Sequence, residues 1–483
     1  MRCRILVLCA LICLFVILTE ARQRKVSSRS GSRSLAARNG NRIHRSNVRQ
    51  RSGNRLSARS SRSARSPRSK NLKKRGLNAG KKNRRRRNLA KKKEGRRKRN
   101  AANRKSKAKS SSSSGASFAT LPLDFQQNFV RTTDDLRSEK VFLASRYGFS
   151  FAKTSGSARL RNRANMEYTC KLSIGTPKQK FTILPDTGSS NLWVTGPHCR
   201  SKACQKHKRY RPKKSSTYIK DGEKFGILYG SGSVAGVLAN DTVSIAGLTV
   251  TNQTFAMTTK EPGSVFTTAS FDGILGMGYT SISVDGVTPL VQNMCAQDVI
   301  SSCRFAICMK GGGSSSRGGA IFFGNSSTSA YSGSHSYTYT PVTKKGYWQF
   351  ELQALYVGGT KVSGAVQAIV DSGTSLMTAP TAIYKKINKI LGCKETSSGE
   401  CWMKCSSDVP DVTLVIGGKK LVLMGKKIMV RVQTSKGKTI CVSVFIEVPD
   451  EPLILGDAFI RHYCTIFDFT NNRLGFAATT YKT

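Results

Sequence analysis

Two short stretches of this 483-residue chain place an acid where a buried strand should have none. In FTILPDTGSSNLWV, residues 181–194, Asp186 interrupts an apolar run; in AIVDSGTSLMTAP, residues 368–380, Asp371 does the same. Each acid is followed by a hydroxyl residue, a glycine and two further hydroxyl residues. A single buried carboxylate is costly and normally takes up a proton. Two that approach each other can hold one proton between them, so that one acts as base while the other acts as acid. The neighbours suit that work. Gly188 and Gly373 let the backbone turn sharply and approach closely. Thr187 and Ser372 can hydrogen-bond from one loop to the other, and Ser189 and Thr374 can donate to the outer carboxylate oxygens, which favours and orients the ionised form. Asp-Gly-type sequence ordinarily marks a turn, but two copies in matched apolar surroundings favour the paired acids.

The elements that hold these acids are also duplicated. FDGILGMG follows Asp186 and EPLILGDAF follows Asp371, and the Ile-Leu-Gly glycines, Gly276 and Gly456, lie 90 and 85 residues beyond their respective acids. Such self-similarity predicts two lobes of one design. Beyond residue 164 the apolar runs are short, rich in Val, Ile, Thr, Phe and Tyr, and separated by glycine-containing turns, which predicts a mostly β protein. Helices are expected at PLVQNMCAQD and PTAIYKKINKIL, where Pro289 and Pro380 stand at helix-start positions.

The formal charge of +55 is concentrated in one tract: residues 22–110 hold 36 Lys or Arg against the single acid Glu94, whereas residues 111–483 hold 43 against 24. Residues 22–118 are Arg, Lys, Ser, Asn and Gly with almost no aromatic or branched side chains. They have too little apolar surface to offset the entropy of ordering, so a disordered basic tract is expected. Its simplest role is a solvated segment lost in maturation; the sharper one is binding to anionic glycans or other polyanions. Without interleaved aromatics it is not a base-specific nucleic-acid reader.

The N-terminus, two arginines followed by an apolar core from Ile5 to Leu18 and small residues at Thr19 and Ala21, reads as a signal peptide over residues 1–21. Its apolar core is shorter than the roughly 20 residues a membrane span needs. Secretion is therefore expected, with a lysosome or digestive vacuole as the alternative destination. Sequons at Asn240, Asn252 and Asn325 are glycosylation candidates in that compartment. Loss of Cys3, Cys9 and Cys13 with the leader leaves eleven cysteines, so at least one stays free or pairs with another chain. His198, His207 and His462 show no metal-ligand spacing with the cysteines, and no metal is expected.

The ordered set DTGSSNLWV, YGSGS, FDGILGMG, GYWQF, AIVDSGTS and ILGDAFIRHYCTIFDFTNNRLGFA resembles the pepsin-like aspartic endopeptidases, the group that includes pepsins and cathepsin D. The resemblance covers residues 119–483. It implies a bilobal β fold with the cleft between an N-terminal lobe, residues 164–340, and a C-terminal lobe, residues 341–483. It implies that Asp186 and Asp371 are the catalytic pair that polarises a water, that Tyr229 closes over substrate on a flap whose tip includes Gly230 and Ser231, and that Trp193 supports that tyrosine. Peptide substrates, no cofactor and a monomer go with it. It also implies the disulfides Cys199–Cys204 and Cys405–Cys441. A Cys393–Cys401 pair is a local guess, and Cys170, Cys295, Cys303, Cys308 and Cys464 are unassigned.

Residues 119–163 look like the inhibitory prosegment and activation region of such enzymes. Where the family carries Lys-Tyr over its two acids, this chain has Arg146-Tyr147, whose guanidinium can pair with carboxylates bidentately. Pro185 departs from the pattern: it removes an N–H and fixes φ just where the strand should pair. Two functions fit these features. One is an acid endopeptidase made as a zymogen and cutting between large apolar residues; the other is a catalytically silent pepsin-like binding or matrix protein anchored by its basic tract. The intact acids, their hydroxyl partners and Tyr229 favour the first.

Overall fold

The computed structural model describes residues 118–125, 131–147, 168–229, 232–261, 266–267, 269–310, 317–396, 399–434, 436–449 and 452–480. The signal peptide, nearly all of the basic tract and the activation region 148–163 lie outside them. Strands dominate, as the short β-branched runs predict, and they form one large sheet system and two four-stranded sheets.

Three parts of the large system matter for the site. The first lobe is built from Tyr168–Ile174, Gln179–Asp186, Leu192–Thr195, Ile219–Tyr229, Gly232–Ile245, Leu248–Lys260 and Gly273–Gly276. The second lobe centres on Trp348–Leu352, Val366–Val370, Met377–Pro380, Phe445–Val448 and Leu453–Leu455. Between them runs an antiparallel ribbon in which Ala119–Phe125 pairs with Arg317–Phe323, that strand with Arg304–Met309, and so on through Tyr463–Asp468 and Arg473–Ala478 to Thr338–Lys345. The chain's last two strands thus join the shared ribbon. Thr338–Lys345 crosses the expected lobe boundary, its start on the ribbon and its end against Trp348–Leu352.

Each lobe holds its acid the same way. Gln179–Asp186 runs parallel to Gly273–Gly276, which in turn pairs antiparallel with Leu192–Thr195. Val366–Val370, which leads into Asp371, runs parallel to Leu453–Leu455, which pairs antiparallel with Met377–Pro380. In both halves the Ile-Leu-Gly strand lies between the strand that carries the acid and the strand that follows its loop. This explains the glycine of the repeat. A Cβ on Gly276 would lie 2.5 Å from Ser190 Cα, and one on Gly456 2.9 Å from the Thr374 carbonyl carbon, because the acid loop crosses directly over it. Pro185 does not break its strand. The ladder to Tyr168–Ile174 ends at Ile183, while Pro185 keeps register with Leu275 on the other side.

Beneath the two loops an aromatic cluster joins all three parts. Trp348 is fully buried against Tyr279, Phe305, Phe467 and Phe469, with centroids 4.7–5.9 Å apart, and its indole N–H donates to the Met277 carbonyl at 3.0 Å. Edge-to-face and tilted packing of this kind adds to the burial of large rings.

Helices occupy Leu290–Ala296 and Thr381–Leu391, each preceded by its expected proline as N-cap. A longer helix, Thr133–Arg146, was not expected. Its cap was legible: Thr132 Oγ1 accepts from the Asp135 N–H at 3.2 Å while the Asp135 carboxylate accepts from the Thr132 N–H at 2.7 Å, a capping box with Asp in the usual Glu position. Its buried stripe hid it, because the stripe Leu136, Glu139, Leu143, Arg146 contains two charges and gives little apolar period.

Ten of the cysteines form Cys199–Cys204, Cys295–Cys303, Cys308–Cys464, Cys393–Cys401 and Cys405–Cys441, and Cys170 is buried and free. The odd count is thereby accounted for within the chain. Cys308–Cys464 joins two strands of the ribbon and closes a loop of 156 residues. Replacing both by alanine is expected to destabilise by about 2–4 kcal/mol through the freed unfolded chain, seen as a fall in Tm of roughly 3–5 °C. An unchanged Tm would show that the surrounding core carries the ribbon unaided.

Candidate active site

Asp186 is the last residue of its strand and Asp371 follows directly on its own, and both are fully buried. The loops interlock. The Thr187 N–H donates to Ser372 Oγ at 3.1 Å and the Ser372 N–H to Thr187 Oγ1 at 2.9 Å. Thr187 Oγ1 in turn donates to the Val370 carbonyl at 3.0 Å and Ser372 Oγ to the Pro185 carbonyl at 3.0 Å. Each hydroxyl thus accepts from the opposite loop and donates to the strand behind it, so neither acid moves without the other.

Each carboxylate has its own donors. Asp186 Oδ1 accepts from the Gly188 N–H at 3.1 Å and Oδ2 from Ser189 Oγ. Asp371 Oδ1 accepts from the Gly373 N–H at 2.9 Å and Oδ2 from Thr374 Oγ1 at 2.5 Å. The hydroxyls hold the outer oxygens and the glycine amides the inner ones. A Cβ on Gly188 would lie 2.5 Å from Asp371 Oδ1, and one on Gly373 2.9 Å from Asp186 Cγ, so each glycine leaves room for the acid of the other loop.

Where the inner oxygens converge stands Arg146. Its Nη2 donates to Asp186 Oδ1 at 2.5 Å and reaches Asp371 Oδ1 at 3.4 Å, while the Tyr147 hydroxyl donates to Asp371 Oδ2 at 2.8 Å. Burial works to lower the Arg146 pKa, but Asp186 and Asp371 beside it hold it well above the ordinary value. Burial raises the Asp186 pKa; the Arg146 guanidinium lowers it and the neighbouring Asp371 raises it further.

The helix ending in Arg146 is anchored nearby by a residue whose partner the sequence did not reveal. Buried Glu139 Oε1 accepts from the Ser375 N–H at 3.1 Å, the Leu376 N–H at 3.2 Å and Ser375 Oγ. Arg131 Nη2 pairs with Glu139 Oε2 at 3.0 Å and donates to Ser375 Oγ at 2.6 Å. Acid, base and helix therefore meet within a few residues of Asp371.

Trp193 is buried and packs edge-on against Phe266, centroids 5.5 Å apart. Gly230, Ser231 and the Tyr229 side chain lie outside the described residues. Among the sequons, Asn252 and Asn325 are exposed, whereas Asn240 is half-buried and accepts from Thr254 Oγ1 at 2.5 Å. Among the described residues a His/Cys/Asp/Glu group close enough for a metal comprises only Cys199, Cys204 and Glu261, and its cysteines are a disulfide. No helix of the described residues is long and apolar enough to cross a membrane.

Two aspartates at the ends of equivalent strands, brought together by two halves of one design, are the architecture of the aspartic peptidases. The chain belongs to that class: the profile described as eukaryotic aspartyl protease matches residues 167–479. It is similar to cathepsin E of Aquarana catesbeiana, 41% identical over 336 residues that cover 68% of this chain and 83% of the relative. It is also similar to cathepsin D of Gallus gallus, 40% identical over 71% of this chain and 88% of the relative, and to pepsin A of Sus scrofa, 39% identical over 73% and 92%. The protein is an aspartic-type endopeptidase, a hydrolase of protein or peptide substrates.

Buried acids also set how stability depends on pH. Asp457, in the ILGDAF motif, is raised well above the usual carboxylate range by burial, with Arg461 opposing and Asp371 and Glu139 adding. Its Oδ1 has no hydrogen-bond partner among the described residues. Glu261 and Asp186 are raised by burial too. A carboxyl raised in the folded state keeps its proton after the unfolded chain has lost it. Its contribution is present at acid pH and lost as pH rises from about 4 through the raised value. His462 acts in the opposite sense: burial lowers it to about 4, so it disfavours the fold as pH falls below about 6.5. The Asp457 contribution is therefore larger near pH 5 than at pH 7.5. Asp457→Asn removes that titrating group and should raise Tm at pH 7.5 by roughly 1–3 °C relative to its value near pH 5. An unaltered pH profile of Tm in this variant counts against Asp457 as a contributor.

Proposed function

We propose that the described structure is the latent form of an acid endopeptidase, in which residues 119–147 are a removable inhibitory segment. The observation that carries this is Arg146 Nη2, which occupies the point toward which the inner oxygens of Asp186 and Asp371 both face. Once that guanidinium leaves, the same point suits a water molecule. One aspartate takes a proton from the water as its oxygen attacks the scissile carbonyl carbon; the protonated partner donates to the carbonyl oxygen. The tetrahedral diol then collapses, the C–N bond breaks and the amine leaves with a proton from the pair. Thr187, Gly188, Ser189, Ser372, Gly373 and Thr374 keep both carboxyls in place through these proton transfers.

A raised Asp186 supports work in acid, where one proton is shared by the pair. Release of the segment follows from the same conditions: protonating the carboxylates that hold Arg146 and Arg131 removes the attraction that seats the helix. Cleavage falls between Tyr147 and Glu167, leaving a mature chain that starts near Ala164. Five disulfides fit a secretory route, and both acids come from one chain, so the site works as a monomer. The preferred bond lies between two large apolar residues, seated in an apolar cleft beneath a flap carrying Tyr229, Gly230 and Ser231. The basic tract is dispensable for latency and available for anionic glycans.

Purified proform should hydrolyse no peptide at neutral pH, convert to a shorter chain on acidification, and then cut peptides with a bell-shaped acid pH profile that pepstatin abolishes. A full-length chain that is equally active at neutral pH before any conversion would contradict the latent assignment.

A further inference from the structure

The inhibitory helix carries a second cation into the body of the enzyme. Lys140 sits in a crevice whose walls include Leu376, Gly399, Glu400, Ser443, Phe445 and Ile446, most of them buried. Its ammonium reaches the Gly399 turn on the same side as Glu447: a Cβ built on Gly399 would lie 2.7 Å from Lys140 Nζ and 3.9 Å from Glu447 Oε2. Glu400 is buried at the end of the same turn, its carboxylate accepting from Thr396 Oγ1. Glu447 belongs to the strand that runs beside Met377–Pro380, the strand that follows the Asp371 loop.

On the reading that residues 119–147 are removed, we propose that this crevice becomes a specificity pocket for a Lys or Arg side chain of the substrate, with Glu447 and Glu400 as the residues that select it. Two independent features point there. The chain's own ammonium is already seated in the crevice, and the walls combine apolar surface for an aliphatic stem with carboxylates at its end, the arrangement a long cationic side chain requires. When the helix departs, partly buried carboxylates lose their counter-charge, and a basic substrate residue restores it. Burial lowers the Lys140 pKa, while Glu447, Glu400 and Glu395, in that order, oppose the fall.

The pocket lies away from the cut. Lys140 and Arg146 are six positions apart on the helix, about 9 Å of rise. An extended peptide spans that distance in about three residues. The selected residue is therefore two to four positions from the scissile bond and does not compete with the apolar residues flanking it.

The test uses acid-activated protein and a peptide series with a fixed apolar cleavage pair, in which each position two to four residues away on either side is Lys, Arg, Met or Glu. At pH 5, where ordinary glutamates are ionised, Lys and Arg are expected to raise kcat/KM over Met about fivefold at one of these positions. Glu should be disfavoured there. In Glu447→Gln and in Glu400→Gln the Lys-to-Met ratio should fall, and in the double variant approach one. Rising salt should erode the same ratio in the unmodified enzyme, a readout independent of whether the variants fold. Cleavage without a basic preference at any position, or a preference that survives both the double variant and salt, overturns the pocket. Failure to cleave any peptide after activation instead overturns the latent-enzyme reading on which it rests.

Discussion

Asp186→Asn and Asp371→Asn should each lower peptide hydrolysis by about 10³–10⁴-fold or more, with circular dichroism unchanged. Asparagine keeps a carbonyl oxygen for the Gly188 or Gly373 amide, so the loop survives. It cannot take the proton of an attacking water or return one to the leaving amine. Because the two acids act as one unit through a shared proton, the double variant should be hardly worse than either single one. The interlock argues for the same outcome, since Thr187 and Ser372 tie each loop to the strand of the other. The measurement is kcat/KM on one apolar peptide across pH 3–6, after removal of the inhibitory segment by an added protease so that self-processing is not required. Near-normal turnover in either single variant would remove that residue from the chemistry.

Arg146→Met in the proform should abolish latency. The substitution keeps most of the buried stem but leaves Asp186 and Asp371 facing each other without a cation, and breaking a buried pair in this way costs about 3–5 kcal/mol. That is enough to shift the balance between seated and released helix by roughly 10²- to 5 × 10³-fold, since 1.36 kcal/mol is a factor of ten. Arg146→Lys should fall between the two, because an ammonium keeps the charge but sits on a shorter stem than the one that brings Arg146 Nη2 to both Oδ1 atoms. The readouts are hydrolysis of a small peptide at pH 6.5 before any cleavage of the chain, and the pH at which conversion begins. A proform starting at Ala119 serves as control, and should stay latent because the tract upstream has no part in the seating. An Arg146→Met proform that stays inactive and converts at the unaltered pH would mean that Glu139 and the strand Ala119–Phe125 suffice for inhibition.

Much of the site was legible because its chemistry is local in sequence. Asp186 and Asp371 each carry their glycine and hydroxyls within three residues, and the duplication makes the pairing of two lobes readable in the chain itself. The mostly β class was equally legible, since alternation and β-branched composition are properties of neighbouring residues. Eleven cysteines required an odd one, and counting needs no geometry.

What the tertiary structure alone decided involves partners far apart in the chain. Glu139 reads as one more surface acid until the fold sets it against the Ser375 and Leu376 amides, 236 and 237 residues away. The same holds for Cys308 and Cys464, which are adjacent only because two ribbon strands pair. The Thr133–Arg146 helix escaped the apolar pattern for a related reason: its buried face is satisfied by ion pairs and amide donors supplied by the body, so hydrophobicity could not mark it. The purpose of Gly276 and Gly456 also waited for the fold, because a glycine needed for a crossing backbone looks in sequence like any other turn glycine. Local periodicity records which residues face a core; it holds no record of which distant charge or backbone will meet them there. For this protein the sequence therefore specified the reactive pair and its immediate shell. The fold decided what blocks that pair, what anchors the block, and which acids line the crevice beside it.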